Sequence, residues 1–217
     1  MYELVDAILV ALVLTSFFLL ASSGLSACIR AVAVQGILLG FLTVAVESGH
    51  LSISALMLAL TSAAVKGFVL PTLLFRAMRE ADAAREIEPL ISYNLSILIG
   101  AIGLGLALWL GQELQLPSHP ESSLLVPAAA FTIAAGFIVL VSRRKAITQV
   151  IGYLVLENGV YAFGTAAALQ MPVLVELGIL LDVFVGVFVM GIAIFHIGRQ
   201  FDHIDADRLT NLTDEVQ

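Results

Sequence analysis

The sequence predicts an all-α membrane protein: a polytopic bundle of about seven transmembrane helices, with the N-terminus outside and the C-terminus cytoplasmic. Three observations carry this prediction. Hydrophobic residues make up 60% of the 217 positions and charged residues 12%, with a mean hydropathy of +1.03, a balance foreign to soluble domains of this length. The apolar residues come in long runs, and about 20 such residues let an α-helix cross the hydrocarbon core of a bilayer. The alternating segments of about ten residues that build a membrane β-barrel are missing.

The runs fall at 3–22, 26–46, 51–75, 90–112, 123–142, 147–168 and 172–198. The first has no basic stretch before it and no good cleavage site, so it reads as a retained helix rather than a secretory signal. The second carries one amide, Gln35, expected to join two helices. The third holds Lys66 and Pro71, the sixth Glu157 and the seventh Asp182. The links are short, which favours antiparallel neighbours in one membrane domain spanning 1–217. Four leading spans occupy 1–115, and a three-helix part with a short tail occupies 120–217. The one longer link, Arg76–Pro89, is charged and is expected to start as a short interfacial helix. The tail Gln200–Gln217 is polar and acidic, either disordered or laid against a cytoplasmic partner.

Seven spans bring Arg30, Arg76, Arg79, Arg85, Arg143, Arg144, Lys145, Arg199 and Arg208 to one side and no Lys or Arg to the other. The positive-inside rule makes the basic side cytoplasmic. Tyr2 and Trp109 are then expected near the outer interface and Tyr93 near the inner one. The formal net charge of −7 lies mostly in links and tail and says little about partners. The single cysteine, Cys28, cannot form an internal disulfide.

Intramembrane ionisable residues are functional candidates by default, because a charge in hydrocarbon is costly unless protonated, paired or hydrated. Glu157 lies ten residues past Ile147, and Asp182 ten past Pro172, which puts both roughly 15 Å deep at the helical rise. Tyr153 and Tyr161 stand one turn either side of Glu157 on its face, and Asn158 lies next to it. Two readings of Glu157 are open: a protonatable site in a proton path, or a permanently protonated acid holding two helices by a hydrogen bond. The same pair of readings applies to Asp182, which Gly178 and Gly186 flank on a closely packing face. Lys66 is too deep for easy snorkelling. Pro71 cannot donate to the carbonyl of Gly67, which frees an acceptor near the lysine. Lysine, unlike arginine, can pass on its proton, so Lys66 is either a proton relay or the counter-ion of Glu157 or Asp182. His196 could open a proton path at the cytoplasmic end, or simply complement a helix C-terminus. No Cys or His cluster suggests a metal, Fe–S or haem site in this chain, and no phosphate loop or nucleophile–base spacing is evident. Nothing in the sequence points to nucleic acid.

The segment SRRKAITQVIGYLVLENG resembles the small K subunit of respiratory complex I, where a basic pair starts a helix bearing a buried glutamate. The stretch after Asp182 and the tail HIGRQFDHID resemble the rest of that subunit. Glu157 falls about one turn later than the K subunit's glutamate, and Asp182 stands where that subunit has glutamate. The length, the leading spans and the blocks SAAVKGFVLP, GYLVLENG and LVELGILLDVFVGVFVM are more similar to the E component of hydrogenase 4.

This resemblance implies a non-catalytic membrane subunit of a complex-I-like [NiFe] hydrogenase of formate hydrogenlyase type, in a bacterial or archaeal cytoplasmic membrane. It implies [NiFe] and Fe–S centres in partner subunits, antiporter-like and complex-I-like membrane neighbours, and hydrogenase large and small subunits on the cytoplasmic face. Glu157 and Asp182 would then be successive protonation sites, with Lys66, Tyr153, Tyr161 and His196 along the path. A subunit of a multisubunit cation/proton antiporter and a purely structural membrane-arm subunit are the alternatives.

Overall fold

The computed structural model describes residues 2–46, 53–80, 90–113, 122–167, 185, 186 and 191. All of its regular structure among these residues is helical: α1 (Tyr2–Ala21), α2 (Leu25–Val46), α3 (Ile53–Ala64), a π-helical turn (Val65–Val69), α4 (Leu70–Glu80), α5 (Tyr93–Glu113), α6 (Leu125–Ser142) and α7 (Ala146–Ala167). Among the described residues five stretches are long and apolar enough to cross a membrane: Glu3–Ala21, Leu25–Val46, Ala59–Arg79, Tyr93–Glu113 and Leu125–Ser142. The chain is therefore a multi-pass helical membrane protein. Helix α7 matches the longest of these at 22 residues, but Gln149, Glu157 and Asn158 dilute its apolar character. The expected seventh span, 172–198, lies outside the described residues except for Val185, Gly186 and Gly191.

The third span departs from its expected limits. Helix continues past residue 75 to Glu80, through α3, the π turn and α4. The reason is amphipathicity. Leu70, Leu74 and Ala77 are buried at i, i+4 and i+7, while Thr72, Arg76 and Arg79 are exposed, so the charged end of the span remains a good helix with one face on the core.

Contacts between helix ends define a single polarity. At one end Arg143 donates to the Leu20 carbonyl (3.1 Å), Leu90 N–H donates to the Ser142 carbonyl (2.8 Å), and Ser26 meets Met78 (3.8 Å). The C-terminal ends of α1, α4 and α6 thus lie beside the N-terminal ends of α2, α5 and α7. The described basic residues outside the spans gather here. At the opposite end Ser122 donates to Asp6, and a Cβ on Gly111 would strike Pro127.

Helix α2 touches α1, α3, the π turn, α4 and α7, while α6 packs on α1, α5 and most extensively α7. The α6–α7 contact is backbone against backbone. A Cβ on Gly136 would stand 2.6 Å from Leu156 Cα, one on Gly152 2.5 Å from Leu140 N, and one on Gly159 2.5 Å from Ile133 N. Small residues let membrane helices approach this closely, where dispersion and polar contacts replace the hydrophobic effect as the driving force. Helix α5 lies at the edge. Only Ser96, Gly100 and Ala107 of it are buried, and Leu98, Ile102, Leu106 and Trp109 are exposed, as suits a lipid-facing helix.

Gly136→Val is expected to destabilise the detergent-solubilised protein by about 1–3 kcal/mol, the usual cost of overpacking. Gly105 has nothing within 4 Å of an added Cβ, so Gly105→Ala is expected to be neutral or to stabilise by up to about 1 kcal/mol through helix propensity. Thermal unfolding of the two variants checks both.

Candidate functional site

Three helical segments meet at one buried point in the bundle. Lys66 comes from the π turn, Glu157 and Asn158 from α7, and Gln35 from α2. Lys66 Nζ donates to Glu157 Oε1 at 2.6 Å, with both side chains 3% exposed. The local backbone explains the position of the lysine. In the π turn Leu70 N–H reaches back five residues to the Val65 carbonyl. A widened turn of this kind takes up the backbone mismatch ahead of Pro71, which has no N–H to give. The approach of α2 depends on glycine: a Cβ on Gly36 would lie 2.6 Å from Lys66 Cβ. Gly67 answers it, since a Cβ there would meet Ile37 Cγ1 at 2.7 Å.

The hydrogen bonds around the lysine have a fixed direction. Thr15 Oγ1 donates to the Ala11 and Leu12 carbonyls, and Ser16 Oγ to the Leu12 carbonyl. Each hydroxyl has one proton, so both must accept from Gln35 Nε2, at 3.1 and 3.0 Å. Gln35 Oε1 accepts from Asn158 Nδ2 at 3.4 Å, and Asn158 Oδ1 accepts from Lys66 Nζ at 3.5 Å. Every donor in this branch points away from the lysine, and the branch ends on backbone carbonyls of α1. It presents an amide oxygen to the ammonium. Side-chain amides neither take up nor release protons at physiological pH, so the branch through Asn158 and Gln35 anchors Lys66 and carries no proton towards α1.

The Tyr161 ring centroid lies 5.2 Å from Lys66 Nζ, within cation–π range. The Tyr161 hydroxyl is 3.1 Å from Thr43 Oγ1. Thr43 gives its proton to the Leu39 carbonyl, so Tyr161 is the donor. Tyr153 is half-buried against the apolar cluster of α2, α4 and α7. Glu157 Oε2 is buried with no hydrogen-bond partner among the described residues. Asp182 and His196 lie outside the described residues. Gln35 joins helices as expected, and Thr15 and Ser16 extend the site beyond the sequence candidates. Their only signal was a few hydrogen-bonding side chains in otherwise apolar helices.

Arg143 is a second buried cation, 1% exposed, at the basic end. It bonds the Leu20 carbonyl and lies 4.6 Å from the Tyr93 ring centroid. Burial pushes its guanidinium below the usual range, and Tyr93 and Cys28 act in the opposite sense. Arginine nonetheless keeps its charge, so Arg143 ties α1, α5 and the α6–α7 link together.

A polytopic helical membrane protein built round a buried lysine–glutamate pair is the class this geometry defines. The chain belongs to the family of the uncharacterized protein Rv0085 of Mycobacterium tuberculosis, with 33% identity over 215 residues, 97% of this chain and 96% of that protein. It is also similar to hydrogenase-4 component E of Escherichia coli K12 and of Shigella flexneri. In each case the identity is 26% over 147 residues, 68% of this chain and 68% of the relative. No protein-family model matches the chain, and no solved structure does. The likeness to the complex I K subunit rests on the quoted sequence segments alone.

Removing one member of a buried ion pair costs about 3–5 kcal/mol, because the other charge is stranded, while replacing both by apolar groups is often neutral. Glu157→Leu and Lys66→Met are each expected to destabilise by about that amount. The double variant should lose much less than the sum. Thermal unfolding of all four proteins in one detergent gives the coupling.

Proposed function

We propose that this chain is a membrane subunit of a hydrogenase-like complex, in which the Lys66–Glu157 pair takes part in ion movement coupled to electron transfer. The buried pair carries the reading. A charged lysine and a carboxylate 2.6 Å apart in hydrocarbon can exchange one proton directly: it leaves Nζ, arrives on Oε1, and both groups become neutral. The low local dielectric makes the balance between these two states sensitive to any charge that appears nearby. A coupling element needs that property. The similarity to proteins named hydrogenase-4 component E supports placing it in such a complex.

In this reading Glu157 and Asp182 are successive protonation sites, with Tyr161 beside the pair and Tyr153 and His196 further along the path. The complex is of formate hydrogenlyase type and sits in a cytoplasmic membrane. Partner subunits hold the [NiFe] and Fe–S centres, and antiporter-like subunits adjoin this chain in the membrane.

A second reading is favoured by the branch through Asn158 and Gln35, which ends on backbone carbonyls: the pair serves only to hold the bundle together. Glu157→Gln separates the two. Glutamine keeps the volume and an acceptor oxygen for Lys66 but cannot ionise. Co-purification from the native membrane, read by mass spectrometry, is expected to recover hydrogenase large and small subunits with wild type and variant alike. Ion translocation should fall by about 100-fold, the lower end of what a positioned proton-transfer group contributes. Full-rate translocation by an assembled variant would leave the pair a structural role only. Recovery of antiporter-like subunits without any hydrogenase subunit would remove the redox function.

A further inference from the structure

Arg30 differs from the other exposed arginines in lying beside a groove in the bundle surface. Arg30 is exposed and makes no ion pair or hydrogen bond among the described residues. It is the sixth residue of α2 (Leu25–Val46), so its Cα lies roughly 8 Å below the basic end of that helix. At that depth an arginine reaches up to the headgroup layer. Beside it runs an open groove of about 310 Å³ between α1 and α2, lined by Thr15, Phe18, Ala27, Arg30, Ala31 and Val34. Ala27, Ala31 and Val34 follow one another at i, i+4 and i+7 and form the α2 wall. Phe18 and Thr15 form the α1 wall. From the start of α2, Val34 lies roughly 14 Å down, so the groove has about the depth of one leaflet of a 30 Å hydrocarbon core.

We infer that this groove binds an anionic phospholipid, with the phosphate on Arg30 and an acyl chain against Phe18, Ala27, Ala31 and Val34. Charge complementarity selects the occupant. The walls are apolar, the only charge is a guanidinium, and that charge stands where lipid phosphates stand. Guanidinium also matches phosphate oxygens by its donor geometry. Basic pockets between helices at the cytoplasmic face are suited to anionic headgroups, and the positive-inside rule assigns the basic end to that face. The groove also reaches Thr15, whose hydroxyl accepts from Gln35. A chain seated there covers the outer end of the polar branch that leads to Lys66. The site is independent of the ion-movement reading.

The test uses the full chain purified in mild detergent and titrated with cardiolipin, phosphatidylglycerol and phosphatidylethanolamine, with retained lipid read by native mass spectrometry. Wild type is expected to hold one anionic lipid more tightly than the rest and to prefer it to the zwitterionic lipid. Arg30→Gln should weaken that lipid by about fivefold, the worth of one basic residue at the surface, and Arg30→Lys should retain most of it. Val34→Trp, at an exposed position, should fill the groove and lower occupancy with the charge intact. Equal retention by Arg30→Gln would overturn the inference, as would phosphatidylethanolamine binding as well as phosphatidylglycerol. Displacement of the lipid by millimolar inorganic phosphate would also overturn it, by reducing the groove to a bare anion site. Capture of a protein helix instead of lipid, by a photo-crosslinker at position 27 in the native membrane, would do the same.

Discussion

Two opposite charges buried in hydrocarbon must find each other, and the bundle is arranged so that they do. Lys66 and Glu157 are 91 positions apart in sequence, yet their charged atoms lie 2.6 Å apart. Neither is tolerable alone at that depth. Their contact fixes the register of α7 against the long helical path that runs from α3 through the π turn into α4. It also requires α2 to approach the π turn without side-chain bulk between them, which Gly36 and Gly67 allow. Asn158 and Gln35 then hold the lysine from the side, and Tyr161 offers its ring face to the same ammonium.

The rest of the packing suits a protein whose surroundings are as apolar as its core. Helices α6 and α7 meet through glycines because close backbone contact supplies what hydrophobic burial cannot in a membrane. Hydroxyls such as Thr15, Ser16 and Thr132 bond carbonyls one turn back, so they cost little in a dry interior. The basic end uses a different device. Arg143 is buried between a carbonyl and an aromatic ring, and it joins three parts of the bundle where the links converge. The two ends and the middle are thus held by separate polar contacts set in an apolar frame.

The all-helical membrane fold was legible because hydropathy alone marks membrane spans. Lys66 and Glu157 were legible as residues that need an explanation. Their pairing was one of two counter-ion choices for the lysine, since spacing says nothing about which helices touch. Gln35 illustrates the gap. An amide in an apolar helix announces a helix contact but not its partner, and only the meeting of α1, α2 and α7 shows that it connects Thr15 and Ser16 to Asn158. Pro71 signalled a free carbonyl at Gly67, whereas the structure accommodates the proline with a π turn, a change of one residue in hydrogen-bond register that sequence pattern does not encode. Arg143 sits in a run of three basic residues, which reads as a solvated cytoplasmic cluster, yet the α6–α7 link turns it inward. The end of α4 was hidden for a related reason: Arg76 and Arg79 break the hydropathy pattern without breaking the helix.

The charge state of the central pair is the most direct test of this account. Infrared difference spectroscopy of wild type, Lys66→Met, and Lys66→Met with Glu157→Gln, all at neutral pH, reports whether Glu157 carries a proton. The account predicts no protonated-carboxyl band from Glu157 in wild type, where the carboxylate faces Lys66. Such a band should appear in Lys66→Met, where the acid has lost its partner, and vanish again in the double variant. A Glu157 band already present in wild type and unchanged by Lys66→Met would contradict the account: the acid would be permanently protonated and the contact an ordinary hydrogen bond.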